Sequence, residues 1–152
     1  FLKLGNNGLL SYRPNSLLKN DNFFLEIPKH MKFSNNFGKY LPNLLKKREE
    51  LGTTCVGNGI AIPHPINLLE NDISESMIGI FFFKNHINFK AADSIPVFVA
   101  FVLLSENSSK HLELLSQLTR FINYSKTIDF LKNSPSLKNI IDQIQKTSAE
   151  NL

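Results

Sequence analysis

A histidine flanked by prolines, Pro63-His64-Pro65, closes a stretch that opens in glycines: Gly52, Gly57 and Gly59, then Ile60-Ala61-Ile62. Glycines let a backbone turn tightly and approach a ligand closely. The β-branched Ile60 and Ile62 suit a short strand. Prolines stiffen the peptide and cannot continue a sheet ladder. The pattern predicts His64 at a strand end, on a rigid peptide, within reach of solvent or a partner. An imidazole presented this way can be a nucleophile, a general base or a metal ligand. A packed or surface histidine is the competing reading that composition alone leaves open.

Two further side chains could act with it. Arg48 falls on the apolar stripe of a helix expected over 38–51, one turn after Leu44 and Leu45. It is either a snorkelling arginine at the edge of the core or a guanidinium aimed past the helix end at an anion. His111 lies in the first turn of a helix expected over 110–122, on the side of Leu115 and Leu118. It is either a packing histidine or a donor where free N–H groups and the helix dipole favour an anion. His30 and His86 have no such surroundings.

These residues need a frame. Leu41, Leu44, Leu45 and Leu51 stripe the first helix, with Pro42 tolerated in its first turn and Gly52 as its C-cap. Met77 to Phe83 and Val97 to Leu104 are continuous apolar runs, as expected of strands buried on both faces. Ile87 to Phe89 suggests a short edge strand. Leu114, Leu115, Leu118, Phe121 and Ile122 stripe the second helix. Ser125 is a candidate cap for a helix over 126–133. Pro135 and Ser136 open a last one carrying Leu137, Ile140, Ile141 and Ile144. Residues 22–33 are apolar, but Pro28 is expected to kink or end any helix there. Residues 66–76 read as a polar loop and Ser34 to Asn36 as a turn. Helices alternating with buried strands predict an α/β fold, one mixed sheet with helices on both faces. The expected organisation is an irregular lead-in over 1–20, one domain over 21–146 and a frayed tail over 147–152.

Composition narrows the function classes. With 42% hydrophobic and 20% charged residues, the chain reads as an ordinary globular domain with a Phe-rich core, holding thirteen Phe and no Trp. The net charge of +4 and pI near 9.2 come without a dense Lys/Arg run, so nucleic-acid binding is not expected. Cys55 is the only cysteine, which rules out an intramolecular disulfide and fits a reducing cytoplasm. Two histidines without a clustered third ligand do not make a zinc site. Neither a metal nor a cofactor is expected. The opening residues do not form a signal peptide, and the longest apolar run, Val97 to Leu104, is too short to span a membrane. The start at Phe1 rather than Met fits a fragment or a trimmed product.

Arg48-Glu49-Glu50-Leu51-Gly52-Thr53-Thr54, followed by Gly57-Asn58-Gly59-Ile60-Ala61-Ile62-Pro63-His64, resembles the type 2 IIA domain of the bacterial phosphoenolpyruvate-dependent phosphotransferase system. A second block agrees in order and separation: Ile95-Pro96-Val97 into Phe101-Val102-Leu103-Leu104, then His111 to Leu118. The resemblance covers roughly 38–135. Pro28 and Pro65 depart from the family pattern. What it implies is a five-stranded mixed sheet and a cytoplasmic phosphocarrier. His64 would accept phosphate on Nε2 from a small HPr-like histidine phosphocarrier protein, with Arg48 and His111 supporting transfer. The wording of the Gly57–His64 block resembles the nitrogen-regulatory branch most. The alternative is a IIA component of fructose or mannitol uptake that passes phosphate to a IIB domain. Any transporter served is expected to be a separate chain. A module that only binds partners is a third reading, against which the presence of all three polar side chains argues; metal-dependent hydrolysis is a weaker fourth.

Overall fold

In the computed structural model, residues 9–12, 20–33, 35–66 and 72–150 are described. Most of the expected lead-in, Ser34, positions 67–71 of the polar loop and the last two residues lie outside them. The described elements are β1 (Leu9–Tyr12), α1 (Asn20–His30), α2 (Phe37–Leu51), β2 (Cys55–Gly57), β3 (Ile60–Ala61), β4 (Met77–Ile87), β5 (Val97–Leu104), α3 (Ser108–Asn123), α4 (Thr127–Lys132) and α5 (Leu137–Glu150).

The strands form one five-stranded sheet in the order β1-β4-β5-β3-β2. β1 runs parallel to β4 and β3 parallel to β5, while β4–β5 and β2–β3 are antiparallel. All eight residues of β5 are buried. Alternate side chains go to opposite faces of a strand. Val99, Phe101 and Leu103 pack with Ile78, Ile80 and Phe82 against α3, α4 and α5. Ala100, Val102 and Leu104 pack with Phe81 and Phe83 against α1 and α2. Two covered faces explain why these strands show no polar alternation. No helix among the described residues is long and apolar enough to cross a membrane.

Five expectations change. Residues 9–12, within the stretch expected to be irregular, form β1 on the open edge of β4; four residues are too few to show a period, and the pairing is non-local. Pro28 sits inside α1 rather than breaking it. It lies in the last turn, so one missing N–H bond is outweighed by burial of Phe23, Phe24 and Ile27, with Met31 buried just beyond. β4 continues to Ile87 as one strand. The frayed tail is helical to Glu150, with Thr147 buried and its Oγ1 donating to the Ile144 carbonyl at 3.0 Å. At α4 the N-cap is Lys126, and Ser125 precedes it.

The glycine-rich stretch is also more ordered than a loop. Asn58 and Gly59 have φ of 56° and 79°, the positive pair that a two-residue hairpin turn matching strand twist requires. A Cβ on Gly59 would lie 2.7 Å from the Phe98 ring and 3.1 Å from the Pro96 carbonyl oxygen. The turn therefore needs glycine twice over, for backbone conformation and for space.

The Phe-rich face gives a direct test. The Phe23 ring is fully buried, with centroids 5.2 Å from Phe81 and 4.8 Å from Phe83 in edge-on contact. Phe23→Ala should cost about 3–5 kcal/mol in urea unfolding without changing the m-value. A loss under about 1 kcal/mol, below the usual range for a buried aromatic, would place α1 outside the cooperative core.

Candidate functional site

Arg48 stands in the last turn of α2, past the buried Leu41 and Leu45. The chain folds back at Gly52, whose N–H donates to the Glu49 carbonyl at 3.2 Å. That return places the Gly52 carbonyl where Arg48 Nη1 donates to it at 2.8 Å. The guanidinium is thus anchored by one edge. Its Nε–H points onward and donates to His64 Nε2 at 3.1 Å.

His64 follows β3 after two residues. The Ile62 N–H donates to the Thr54 carbonyl at 3.0 Å, and the Pro63 carbonyl accepts from the Leu103 N–H at 2.9 Å. The peptide before His64 is therefore tied to Thr54, just ahead of β2, on one side and to β5 on the other. Buried Pro65 restricts it from the other end. His64 Nδ1 lies 2.9 Å from the Ile62 carbonyl oxygen. A carbonyl only accepts, so Nδ1 carries the proton. Arg48 only donates, so Nε2 carries the lone pair. Two separate contacts select the same tautomer.

His111 reaches the site from the opposite helix. Asn107 caps α3 through Oδ1, which accepts from the Lys110 N–H at 2.8 Å. That start puts His111 in the first turn, its ring centroid 5.0 Å from that of His64 with the planes at 51°. Ser105 Oγ lies 3.4 Å from His111 Nδ1, a long contact that ties the ring to the end of β5. The site sits past the carboxyl ends of parallel β3 and β5, where the C-terminus of α2 and the N-terminus of α3 converge. Such ends of α/β sheets are recurrent ligand positions.

Both imidazoles are held below the ordinary value of 6.5. For His64, burial is the main cause; the Ile62 carbonyl opposes it and the Arg48 charge reinforces it. For His111, burial comes first, then the His64 and Arg48 charges. Two neutral rings beside a permanent cation, next to a helix N-terminus, make an arrangement suited to a doubly negative group.

The structure thus brings Arg48, His64 and His111 together. His30 and His86 lie elsewhere, against Phe81 and Phe98. Three contributors were not found from the sequence. The Ile62 carbonyl is backbone and leaves no mark in residue type. Ser105 is a serine after an apolar strand, with nothing in residue type to pair it with His111. Glu49 stands among the charged residues that end α2, yet it accepts from the Thr54 N–H at 3.0 Å and Oγ1–H at 2.7 Å. The Asn58-Gly59 pair was the available sign of the hairpin that brings Thr54 beside Ile62.

Comparison with known proteins gives the chain a family and relatives of the same fold. Residues 29–147 match the family described as phosphoenolpyruvate-dependent sugar phosphotransferase system, EIIA 2. Over 95 residues the chain is 36% identical to a nitrogen regulatory protein of Pseudomonas aeruginosa, a match covering 60% of this chain and 59% of that protein. Matches to other nitrogen regulatory proteins cover as little as 45% of their length. In fold it is similar to nitrogen regulatory protein IIA-Ntr from Neisseria meningitidis, with a TM-score of 0.75 at 22% identity over 91% of this chain and 93% of that one. It is also similar to enzyme IIAMTL from Escherichia coli, solved in complex with phosphorylated enzyme IIBMTL. There the TM-score is 0.70 at 14% identity over 94% and 97% of the two chains.

The electrostatics predict a titration. In NMR followed on the imidazole C–H signals, His64 and His111 should both show midpoints below 6.5. Because Arg48 lowers both, Arg48→Ala should raise both. Midpoints that stay put in the variant would remove the guanidinium from the electrostatics of the pair.

Proposed function

The chain belongs to the EIIA 2 family of the phosphoenolpyruvate-dependent sugar phosphotransferase system, and from that premise we propose that it is a phosphocarrier with His64 as the phosphoryl acceptor. The observation that carries this is the tautomer lock. With Nδ1–H on the Ile62 carbonyl at 2.9 Å, the nucleophilic lone pair stands on Nε2, the nitrogen turned toward Arg48. Depressed basicity of His64 keeps that lone pair free at neutral pH.

The donor in this reading is an HPr-like histidine phosphocarrier protein, and the arrangement suits such a transfer. Nε2 attacks phosphorus in line, and a P–N bond forms. The P–N bond to the donor's imidazole breaks, and its nitrogen leaves with the bonding pair. His64 Nδ1 keeps its proton on the Ile62 carbonyl throughout. Charge on the moving group spreads over its equatorial oxygens, so positioning and charge stabilisation supply most of the catalysis. Arg48 turns from Nε2 to those oxygens, offering several fixed donors from a guanidinium still anchored at Gly52. His111 Nε2, the nitrogen not facing Ser105, supplies another donor beside the N–H groups of α3.

The substitutions that test this are His64→Ala, Arg48→Ala and His111→Ala, incubated with phosphoenolpyruvate, the upstream enzyme and the HPr-like carrier. Intact mass should show one acid-labile phosphate on the wild-type protein and none on His64→Ala. Arg48→Ala and His111→Ala should each slow phosphorylation by about tenfold or more, equivalent to ~1.4 kcal/mol of transition-state stabilisation. Phosphate retained by His64→Ala would move the acceptor elsewhere. Unchanged rates in the other two would make them packing residues.

For the role of that phosphate, the sequence relatives favour nitrogen-regulatory signalling. Phosphorylation adds about −2 charge, enough to switch a docking surface on a site that now holds a cation and two imidazoles. The second reading, sugar uptake through a IIB domain, is supported by the fold shared with a IIA protein solved in complex with its phosphorylated IIB partner. Pull-downs with phosphorylated protein and with His64→Ala should capture different regulatory partners. If a sugar-permease IIB domain were the sole specific acceptor and phosphate passed on to sugar, the regulatory role would be replaced by the second.

A further inference from the structure

We propose that Glu49 is a positioning residue for His64, holding the acceptor of the Nδ1 proton in place through a hydrogen-bonded run from Glu49 to Thr54 to Ile62 to His64. The proposal rests on His64 being the phosphoryl acceptor.

Each link is a short contact. Both carboxylate oxygens of Glu49 are spent on one residue, Oε1 on the Thr54 N–H at 3.0 Å and Oε2 on Thr54 Oγ1–H at 2.7 Å. Thr54 is 6% exposed, so water competes little for either bond. The Thr54 carbonyl accepts from the Ile62 N–H at 3.0 Å. The Ile62 carbonyl then receives His64 Nδ1–H at 2.9 Å. Ile62 thus uses its N–H to stay on Thr54 and its carbonyl to hold the imidazole.

Without the carboxylate, Thr54 follows Gly52-Thr53 with a weaker hold on α2. The nearby ties that remain include Thr53 Oγ1 to the Phe89 carbonyl at 2.9 Å and the pairing of β2 with β3, neither of which joins Thr54 to α2. β2 would gain freedom to pivot, the Ile62 carbonyl would drift, and Nδ1 would lose a fixed acceptor. Glu49 also adjoins Arg48. Adjacent residues of one helical turn therefore govern the two ring nitrogens, Arg48 directly at Nε2 and Glu49 at Nδ1 through the run. Second-layer groups of this kind set which nitrogen of a histidine is protonated.

The experiment compares wild type, Glu49→Ala, Glu49→Gln and Thr54→Val, each labelled with ¹⁵N-histidine. Long-range ¹H–¹⁵N correlation reads the His64 tautomer directly, with no phosphate donor present. Phosphorylation rate and affinity for the HPr-like carrier are measured in parallel. Wild type should show a single tautomer with its lone pair on Nε2. Glu49→Ala should give a tautomer mixture and phosphorylation slowed by about tenfold at unchanged carrier affinity, the lower end of the cost of removing a supporting partner of a histidine. Glu49→Gln, which keeps one acceptor oxygen, should fall between, as should Thr54→Val, which keeps the N–H.

A wild-type tautomer and rate in folded Glu49→Ala would overturn the proposal. If that variant does not fold, a wild-type tautomer in both Glu49→Gln and Thr54→Val would overturn it equally. If the wild-type protein takes no phosphate on His64, the phosphocarrier assignment fails, while the tautomer comparison still decides what Glu49 does.

Discussion

β5 is buried along its whole length and on both faces, and the placement of nearly everything else follows from covering it. One face must be sealed by α1 and α2, the other by α3, α4 and α5. A continuous apolar strand cannot face water, so the helices preceding and following the sheet fall on opposite sides. The C-terminal end of β5 then lies between the end of α2 and the start of α3. Arg48 and His111 are carried to that point by core packing, while the Pro63 carbonyl is bound to the β5 backbone at Leu103. The geometry of the site is thus a consequence of how the core closes.

The electrostatic character of the site follows from that convergence. A guanidinium and two imidazoles are gathered where the α3 dipole is positive, and among the described residues no carboxylate forms an ion pair with Arg48. Crowding of cations and partial burial both favour neutral imidazole, which is the nucleophilic form. Glu49, next to Arg48 in α2, is turned onto Thr54. An anion reaching Nε2 therefore meets donors from Arg48 and His111, beside the first-turn N–H groups of α3. The resting structure is pre-organised for negative charge without being charged on its rings.

Local patterns marked α2, α3 and the two long apolar strands because stripes at helical spacing and runs of β-branched and aromatic residues need no partner to be read. Local patterns failed where long-range contacts outweigh propensity. Pro28 would end an isolated helix, but Phe23, Phe24 and Ile27 hold α1 to the sheet. β1 has no period and exists through pairing with β4. Thr147 belongs to a polar tail by composition, yet it is buried by the packing of α5.

At the site the division is equally physical. A proline-flanked histidine, a cation on an apolar stripe and a histidine in a first helical turn are conspicuous locally, so residue types and order marked His64, Arg48 and His111 as candidates; without the family resemblance a packing role stays open for each. The Asn58-Gly59 pair carried the hairpin in its backbone preferences. Only the tertiary structure decided that these side chains meet, with Arg48 Nε 3.1 Å from His64 Nε2 and the two imidazoles 5.0 Å apart. It alone also decided which nitrogen of His64 holds the proton. That choice is made by the Ile62 carbonyl, and every residue has a carbonyl; its direction is set by hydrogen bonds to distant segments, which residue identity does not encode.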